Sequence, residues 1–237
     1  KHIDDWSTLL FNRHGEYEDW DRRQRWAQPY AGGELPIVDN RLLSFINTGS
    51  DLVCGAVMAS VLGGEEVPLT WALRLLGRYD EIRNPDTKLG GYQFNHRDPC
   101  RVRESFKPPF GDREDVNETT VLNSGYIQTR GGRAAITWMN LYEELGSERG
   151  RDFLAMVATD LTALADHTYD EADHAFKSCL VDGTRLSPDD AMEGVGYCPP
   201  KKLQPLQANG VMFLSYARAF RLTGNNRFRE MALSLAR

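Results

Sequence analysis

The segment Leu145-Gly146-Ser147 decides the fold, because similar segments recur at Leu62-Gly63-Gly64 and at Leu222-Thr223-Gly224. Each segment follows a stretch with apolar residues at helical spacing and precedes another such stretch. A glycine between two helical stretches is typical of the C-cap in a helical hairpin. The three turns are separated by 83 and 78 residues, counted between their glycines at positions 63, 146 and 224. This spacing indicates a repeat architecture built from helical hairpins.

Apolar periodicity favours helices over strands along the whole chain. Apolar residues at helical spacing occur in residues 42–62, 67–82, 134–145, 152–164 and 206–222. The first of these stretches is interrupted at Thr48-Gly49-Ser50, where we expect a break. Strict alternation is rare, so strands should be few and short. We therefore predict an all-α fold, an (α/α) toroid of inner and outer helices in a closed ring, with a few short strands in its long loops.

The ends of the chain suggest that the toroid continues beyond them. The chain stops at Arg237, about halfway through the helix that should follow Asn226, and it opens in what resembles the last turns of a helix. A toroid repeat cannot bury its apolar face without its neighbours. We therefore expect residues 1–237 to form a single domain, a partial toroid truncated at both ends.

The composition is that of an ordinary globular domain, with 41% hydrophobic and 26% charged residues. The formal net charge of -6 argues against a nucleic-acid-binding protein that relies on a positive field. No apolar run reaches the roughly 20 residues that a transmembrane helix needs, so we expect no membrane partner. The four cysteines form no CxxC pair, and the sequence leaves open whether Cys100 and Cys198 form a disulfide.

The most unusual chemical feature is the pair Arg13-His14, which follows a short apolar stretch and precedes a glycine. Arginine is a strong base and anion binder, and a histidine beside it is a potential metal ligand. The pair suggests chemistry on a substrate that carries carboxylates. The alternative is structural, because a basic pair at a helix end also complements the helix dipole.

Two long connections, residues 88–133 and 182–204, carry most of the other unusual residues. They are rich in arginine, lysine, aromatic and amide side chains, the usual lining of a carbohydrate cleft. Loops of this length inside a compact domain are usually functional. Taken one at a time, each of these residues is also explained as part of a solvated loop.

Several short segments resemble, in order, motifs of the family 2 pectate lyases. They are HIDDW at residues 2–6 with RHGEY at 13–17, SFINTGSDL at 44–52, GGYQF at 90–94, FGDR at 110–113, LVDGT at 180–184 and FLSYARA at 213–219. Any one of these matches is weak, but the ordered set spans most of the chain. The stretches between them differ from the family, so the chain resembles a divergent member.

The resemblance implies a sevenfold (α/α) toroid that cleaves polygalacturonate or oligogalacturonides by β-elimination, often from the chain end. It implies that Arg13 is the catalytic base and that His14 binds a divalent metal ion, which is usually Mn²⁺ in this family. The family's other principal metal ligands, a histidine and a glutamate, lie upstream of the matching segment, so we expect them outside this chain. The compartment implied is the periplasm or the cytoplasm.

This chemistry suits the residue types. β-Elimination removes the C5 proton, which lies α to the uronate carboxylate, and expels the substituent on O4. A divalent metal bound to the carboxylate would acidify that proton. Arginine is an awkward base, because its reference pKa is about 12.5 or above. Arg13 must therefore be held close to the proton and close to other positive charge.

Substrate contacts are expected from residues that match or lie near the family-like loop segments. They are Tyr17, Tyr92, Arg113, Tyr197 and Lys201. The arginine and the lysine would pair with uronate carboxylates, and arginine can do so bidentately. Tyr17 either stacks on a sugar ring or packs inside the protein.

Two other functions are compatible with the fold. A glycoside hydrolase would need two carboxylates that flank the bond. The candidates are Glu16, Asp51, Asp112 and Asp182, and their spacing does not single out a pair. A non-catalytic carbohydrate-binding toroid would keep the loops but would still bind its ligand without Arg13. The fold alone does not separate these functions from a lyase.

Overall fold

The computed structural model describes residues 44–64, 66–81, 83–91, 93–94, 120–191 and 199–237, and this part of the chain is mostly helical, as predicted. Its helices are α1 (Ile46–Gly63), α2 (Glu66–Glu81), α3 (Ser124–Gln128), α4 (Ala135–Arg149), α5 (Arg151–His167), α6 (Pro200–Leu203), α7 (Gly210–Thr223) and α8 (Asn226–Leu235). A π-helical stretch, Thr129–Ala134, joins α3 to α4, and a 3-10 turn at Pro188–Asp190 precedes α6.

Helical hairpins form the described part of the chain, and each turns at a glycine with a positive φ angle. The φ angle is 78° at Gly64, 80° at Gly146 and 69° at Gly224. Gly146 lies within the bounds of α4, but its backbone is not helical, so α4 kinks there. Gly224 caps α7 in the left-handed conformation, and its backbone N–H donates to the carbonyl oxygen of Phe220 at 2.8 Å. The predicted hairpins are confirmed, although the left-handed residue of the first turn is Gly64 and not Gly63, which ends α1.

The hairpins pack side by side in two layers of helices. In the first layer α4 lies between α1 and α7, and in the second layer α5 lies between α2 and α8. One arm of every hairpin belongs to each layer. This arrangement is that of an (α/α) toroid, which confirms the predicted fold class.

The core fills the space between the two layers. Its largest fully buried side chains are Trp138, Tyr79, Tyr126, Tyr216, Phe153, Phe176 and Phe228. The rings of Trp138 and Phe153 lie 5.8 Å apart between centroids, so they join the two arms of the α4–α5 hairpin. Full burial of a large apolar side chain stabilises a fold by about 1.5–3 kcal/mol. The contact between the layers is therefore the main source of stability in this part of the chain.

The break expected at Thr48-Gly49-Ser50 is wrong, because α1 is continuous from Ile46 to Gly63. These three residues lie at the start of the helix. Glycine, serine and threonine are tolerated or preferred at a helix N-terminus, whereas they weaken a helix in its interior. The predicted helix also begins too early, since Ser44–Phe45 forms a strand.

Seven two-residue strands, β1 to β7, form antiparallel pairs in the described residues. They are β1 (Ser44–Phe45), β2 (Gln93–Phe94), β3 (Val121–Leu122), β4 (Tyr169–Asp170), β5 (Ala175–Phe176), β6 (Cys179–Leu180) and β7 (Leu206–Gln207). The pairs are β1 with β2, β3 with β6, and β5 with both β4 and β7. The expectation of few and short strands is confirmed.

Each strand lies shortly before or after a helix in the sequence. The strands are found at the end of the helical layers that is opposite to the hairpin turns. We call this end the loop end. It comprises residues 44–45, 83–91, 93–94, 120–123, 168–191 and 199–209. The described residues of the second long connection belong to it, as do residues 88–91, 93–94 and 120–123 of the first, so the fold gathers at one end much of what the sequence singled out.

Candidate functional site

Hydrogen bonds between distant segments hold the loop end together. The hydroxyl group of Thr87 donates to the carbonyl oxygen of Val181. The backbone N–H of Val181 in turn donates to the carbonyl oxygen of Thr120 at 2.8 Å. The segment that precedes Gly90 therefore lies beside the one that contains residues 180–184, although about 90 residues separate them in the sequence.

The short helix α6 is fixed to the same region. The carbonyl oxygen of Lys202 accepts hydrogen bonds from the hydroxyl groups of Ser124, at 2.7 Å, and of Ser178, at 3.2 Å. Leu203 is buried, whereas the side chain of Lys201 is exposed. Lys201 is thus a solvent-facing cation on a backbone that two other segments hold in place.

Lys201 is the predicted substrate-binding residue that falls inside the described part of the chain. The other predicted site residues lie outside the described residues. They are Arg13, His14, Tyr17, Tyr92, Arg113 and Tyr197. Both chain neighbours of Tyr92, Gly91 and Gln93, belong to the loop end.

Of the carboxylates considered for a hydrolase, Asp182 is the one whose side chain lies in the described part of the chain. Asp182 is exposed, and its carboxylate accepts a hydrogen bond from the backbone N–H of Thr184 at 2.9 Å. Glu16, Asp112 and the side chain of Asp51 lie outside the described residues, as do Cys100 and Cys198.

A buried ion cluster lies beneath the loop end. The carboxylate of Asp160 accepts from Nη1 of Arg83 at 2.7 Å and from Nη2 of Arg130 at 2.6 Å. The three residues are 7%, 8% and 3% exposed, respectively. Two guanidinium groups therefore share one carboxylate in a largely desolvated environment, where charge–charge interactions are strong.

The ion cluster connects the helices to the loop that leads to residues 90–94. Nη1 of Arg83 also donates to the carbonyl oxygen of Lys88 at 3.0 Å, and its Nε donates to Asp80 at 3.0 Å. The side-chain oxygen of Asn84 accepts from the backbone N–H of Thr87 at 3.1 Å, which closes the same turn. Arg83 thus joins helix α5, through Asp160, to the backbone just before Gly90.

The charges of the cluster stabilise each other. Burial by itself would raise the pKa of the Asp160 carboxyl, but Arg130 and Arg83 outweigh it and hold that pKa below its ordinary value. Burial would likewise lower the pKa of the Arg130 guanidinium, and the nearby Asp160 raises it instead. Asp160 and Arg130 are therefore both charged at neutral pH.

This cluster was not predicted, although the sequence carries a signal for it. Asp160 stands between Val157 and Leu161 on the buried side of α5. A charged residue on the apolar side of an amphipathic helix is rarely buried without a partner. That pattern could have identified Asp160, but the two arginines that pair with it are 77 and 30 residues away in the sequence.

Within the described residues, no group of three or more histidine, cysteine, aspartate or glutamate side chains could hold a metal ion. The predicted metal ligand, His14, lies outside them. No helix in the described part of the chain is long and apolar enough to cross a membrane.

Comparison with known proteins identifies the family of the chain. The family model Pectate_lyase_2, described as periplasmic pectate lyase, matches residues 1–237. A curated relative, the pectate disaccharide-lyase of Dickeya dadantii (strain 3937), is 32% identical over 123 residues. That match covers 47% of this chain and 22% of the relative, so the chain spans about a fifth of the length of the relative.

Solved structures resemble the chain in fold. Cellobiose 2-epimerase from Bacillus thermoamylovorans aligns with a TM-score of 0.50 and 13% sequence identity, over 82% of this chain and 44% of the epimerase. The GH76 alpha-mannanase of Bacteroides thetaiotaomicron aligns with a TM-score of 0.48 and 14% identity, over 88% of this chain and 45% of the mannanase. The likeness to the epimerase concerns the fold alone, because one fold supports many reactions.

Proposed function

The chain belongs to the periplasmic pectate lyase family, and from this premise we propose that it cleaves α-1,4-galacturonan by metal-assisted β-elimination. The observation that carries the proposal is the family match, which extends over residues 1–237. The identity of 32% to a pectate disaccharide-lyase supports the same reaction class.

The geometry of the loop end supports this function. Strands β1 and β2 pair Ser44 with Phe94 and Phe45 with Gln93, which joins two of the family-like segments, 44–52 and 90–94. Thr87, which lies just before the second of these segments, donates a hydrogen bond to Val181 in the third, 180–184. A surface assembled from several loops on a rigid helical scaffold is the usual location of an active site.

We assign the proton transfer to Arg13. Its guanidine takes the C5 proton, a double bond forms between C4 and C5, and the bond between C4 and the glycosidic oxygen breaks. The departing oxygen takes up a proton, so one fragment carries an unsaturated uronate and the other a new hydroxyl group. Arg13 must be neutral when it accepts the proton, and positive charge nearby would favour that state by lowering its pKa.

We assign His14 as the ligand that this chain contributes to a divalent metal ion, with Mn²⁺ as the expected ion. Bound to the uronate carboxylate, such an ion withdraws charge and makes the C5 proton more acidic. Mixed nitrogen and oxygen ligation suits a transition ion better than calcium. A His14→Ala variant should bind Mn²⁺ at least about tenfold more weakly in calorimetry of the full-length protein, and unchanged affinity would contradict the assignment.

Substrate carboxylates are the proposed partners of Lys201 and Arg113. Lys201 is suited to this role because it is exposed at the loop end on a backbone that Ser124 and Ser178 hold. The aromatic residues Tyr17, Tyr92 and Tyr197 would contribute stacking or packing against the sugar rings. The family description names the periplasm, and we propose that compartment for this protein.

Product chemistry tests the reaction class. The protein expressed from its complete gene is incubated with polygalacturonate, with Mn²⁺ or with a chelator. The ultraviolet absorbance of unsaturated uronate and the number of new reducing ends are followed together. We expect both to rise in parallel with Mn²⁺ and neither to rise with the chelator.

Two other outcomes would show that the protein has a different function. New reducing ends without absorbance would identify a hydrolase, and binding of galacturonan without either signal would identify a carbohydrate-binding toroid. The length of the products separates disaccharide release from the chain end from cleavage inside the polymer.

A further inference from the structure

Lys88 has an unusual backbone conformation in the turn that follows α2. Its φ angle is 60°, which lies in the left-handed region, where residues other than glycine are uncommon. Glycine and asparagine adopt this conformation more readily than lysine. Residues held in such a conformation persist where the surrounding structure fixes them, and they cluster at functional sites.

Hydrogen bonds hold the backbone of Lys88 on both sides. Its N–H donates to the carbonyl oxygen of Asn84 at 2.9 Å, and its carbonyl oxygen accepts from Nη1 of the buried Arg83 at 3.0 Å. The two residues that follow, Leu89 and Gly90, are buried. The turn therefore fixes the point from which the Lys88 side chain leaves the backbone, before any ligand binds.

The side chain of Lys88 is exposed at the loop end. No carboxylate in the part of the chain that the structure describes pairs with its ammonium group. The acidic residue that lies closest in the sequence, Asp86, is also exposed, so solvent screens its charge. Packing and ion pairing within the described residues therefore do not explain why a lysine occupies this position.

The turn places Lys88 in the same region as Lys201, the other exposed lysine considered for substrate binding. Leu89 and Leu122 line the same small cavity, and the hydroxyl group of Ser124 donates to a backbone carbonyl oxygen of α6 at 2.7 Å. The turn and the helix that carries Lys201 therefore both lie against one short segment. A polymer with one carboxylate on each sugar unit suits two separate cations at one end of the molecule.

We propose that Lys88 binds a free uronate carboxylate of galacturonan and thereby selects unesterified sugar units. The inference rests on the proposed function, because that function supplies the substrate class. An ammonium group attracts a carboxylate much more strongly than a neutral methyl ester, so this contact discriminates between the two forms of the sugar. The fixed backbone reduces the entropy that is lost when the cation is held against the ligand.

Binding measured without turnover tests this role. Full-length protein that carries Arg13→Ala is titrated with oligogalacturonate and Mn²⁺ in a calorimeter, alone and with Lys88→Asn or Lys88→Arg added. Asparagine tolerates the left-handed conformation, so Lys88→Asn removes the cation and keeps the turn. We expect Lys88→Asn to weaken binding about 3- to 10-fold and to leave the binding of a fully methyl-esterified oligomer unchanged. Lys88→Arg keeps the charge and should bind within about twofold of the parent.

Lys177→Asn is the matched control, because Lys177 lies at the same end of the molecule and already pairs with Asp173. An unchanged affinity of Lys88→Asn, an equal loss in Lys177→Asn, or an equal loss with the esterified oligomer would each overturn the role of Lys88. A loss of affinity and of Tm that Lys88→Arg shares would also overturn it, because both changes then report on the turn. Formation of unsaturated uronate by the protein with Arg13 intact tests the lyase separately, so failure of the proposed reaction is distinguishable from failure of this inference.

Discussion

At the scale of single residues, Asp160 is the most consequential side chain that the structure reveals. It is the buried carboxylate that neutralises both Arg83 and Arg130 in the ion cluster. Through Arg83 it also fixes the carbonyl oxygen of Lys88, just before the family-like segment 90–94. Its loss would leave Arg130 without its carboxylate partner and Arg83 with the exposed Asp80 alone among the described carboxylates, and the loop would lose part of its support.

We predict that Asp160→Asn destabilises the protein by about 3–5 kcal/mol, the usual cost of breaking a buried ion pair by removing one partner. Urea unfolding of the full-length protein measures this change. Asp166→Asn is the matched control, because Asp166 pairs with Arg227 at 2.7 Å on the surface, where such pairs contribute about 0–1 kcal/mol. Equal effects of the two variants would contradict the prediction.

The same substitution should change the pH dependence of stability. The pKa of Asp160 is lowered in the folded state, so its contribution is present above the unfolded-state pKa of about 3.9 and is lost as pH falls through the folded-state pKa. Asp160→Asn should therefore lose less stability than the wild type below about pH 4. Parallel acid-unfolding curves for the two proteins would show that the prediction is wrong.

Lys201 allows a test of substrate binding that leaves the fold intact. Its side chain is exposed, so Lys201→Ala should change Tm little but raise the KM for oligogalacturonate about 3- to 10-fold, and the difference should shrink in high salt. Lys177→Ala serves as the control, because Lys177 pairs with Asp173 in the same end of the molecule. If both variants raise KM equally, the effect is general electrostatics and Lys201 has no specific role.

At the scale of elements, glycines set how closely the helices approach. A Cβ atom at Gly131 would lie 2.5 Å from Cε of Met212 and 3.0 Å from Cδ1 of Leu164. Gly131 therefore lets the π-helical stretch pack close to α7 and α5 without displacing the ends of these two side chains. Single π turns inside α-helices are frequently found at functional sites, and this one carries Arg130.

The turn of the α4–α5 hairpin depends on Gly150. A Cβ atom there would lie 2.7 Å from the Cα atom of Tyr142 and 2.8 Å from the carbonyl oxygen of Gly146, and neither backbone atom can move away cheaply. We predict that Gly150→Ala destabilises the protein by about 1–3 kcal/mol. Gly77→Ala, in α2 where a Cβ would meet nothing within 4 Å, should instead stabilise by about 0.5–1 kcal/mol. Chemical denaturation measures the change in the free energy of unfolding for both variants. If the two changes have the same sign, this explanation of Gly150 is wrong.

The hairpins could be predicted from the sequence because their signals are local. Apolar spacing marks each helix, and a glycine with positive φ marks each turn, as at Gly146 and Gly224. The π-helical stretch could not be predicted, because the close contacts of its glycines are with side chains of α5 and α7 that lie far away in the sequence. The strand pairs could not be predicted either. Val121 pairs with Leu180 across 59 residues, and the sequence of neither strand indicates with which segment it pairs.

At the scale of the whole molecule, the two helical layers place the hairpin turns at one end and the family-like loops at the other. The candidate site was predictable to the extent that the two long connections were predicted to be functional and that residues 88–91, 93–94, 120–123, 182–191 and 199–204 of them lie at the loop end. The roles of Arg13 and His14 came from the resemblance to a family, and they stay predictions. The buried ion cluster required the structure, because its partners are distant in the sequence.

The proposed reaction of this chain is β-elimination with Arg13 as the base. The most direct test is the initial rate of unsaturated uronate formation from polygalacturonate, measured by ultraviolet absorbance with Mn²⁺ for the full-length wild type, for Arg13→Ala and for Arg229→Ala. Arg229 is an exposed arginine on α8 and controls for the loss of one surface charge. Oligogalacturonate affinity and Tm are measured for all three proteins.

We predict that Arg13→Ala lowers kcat by about 10²–10⁴-fold, the usual contribution of a general base, while Tm and oligogalacturonate affinity change little. Arg229→Ala should retain the wild-type rate. If the Arg13→Ala variant forms unsaturated uronate at the wild-type rate, Arg13 is not the base. If the wild-type protein forms no unsaturated uronate, the proposed lyase activity is wrong.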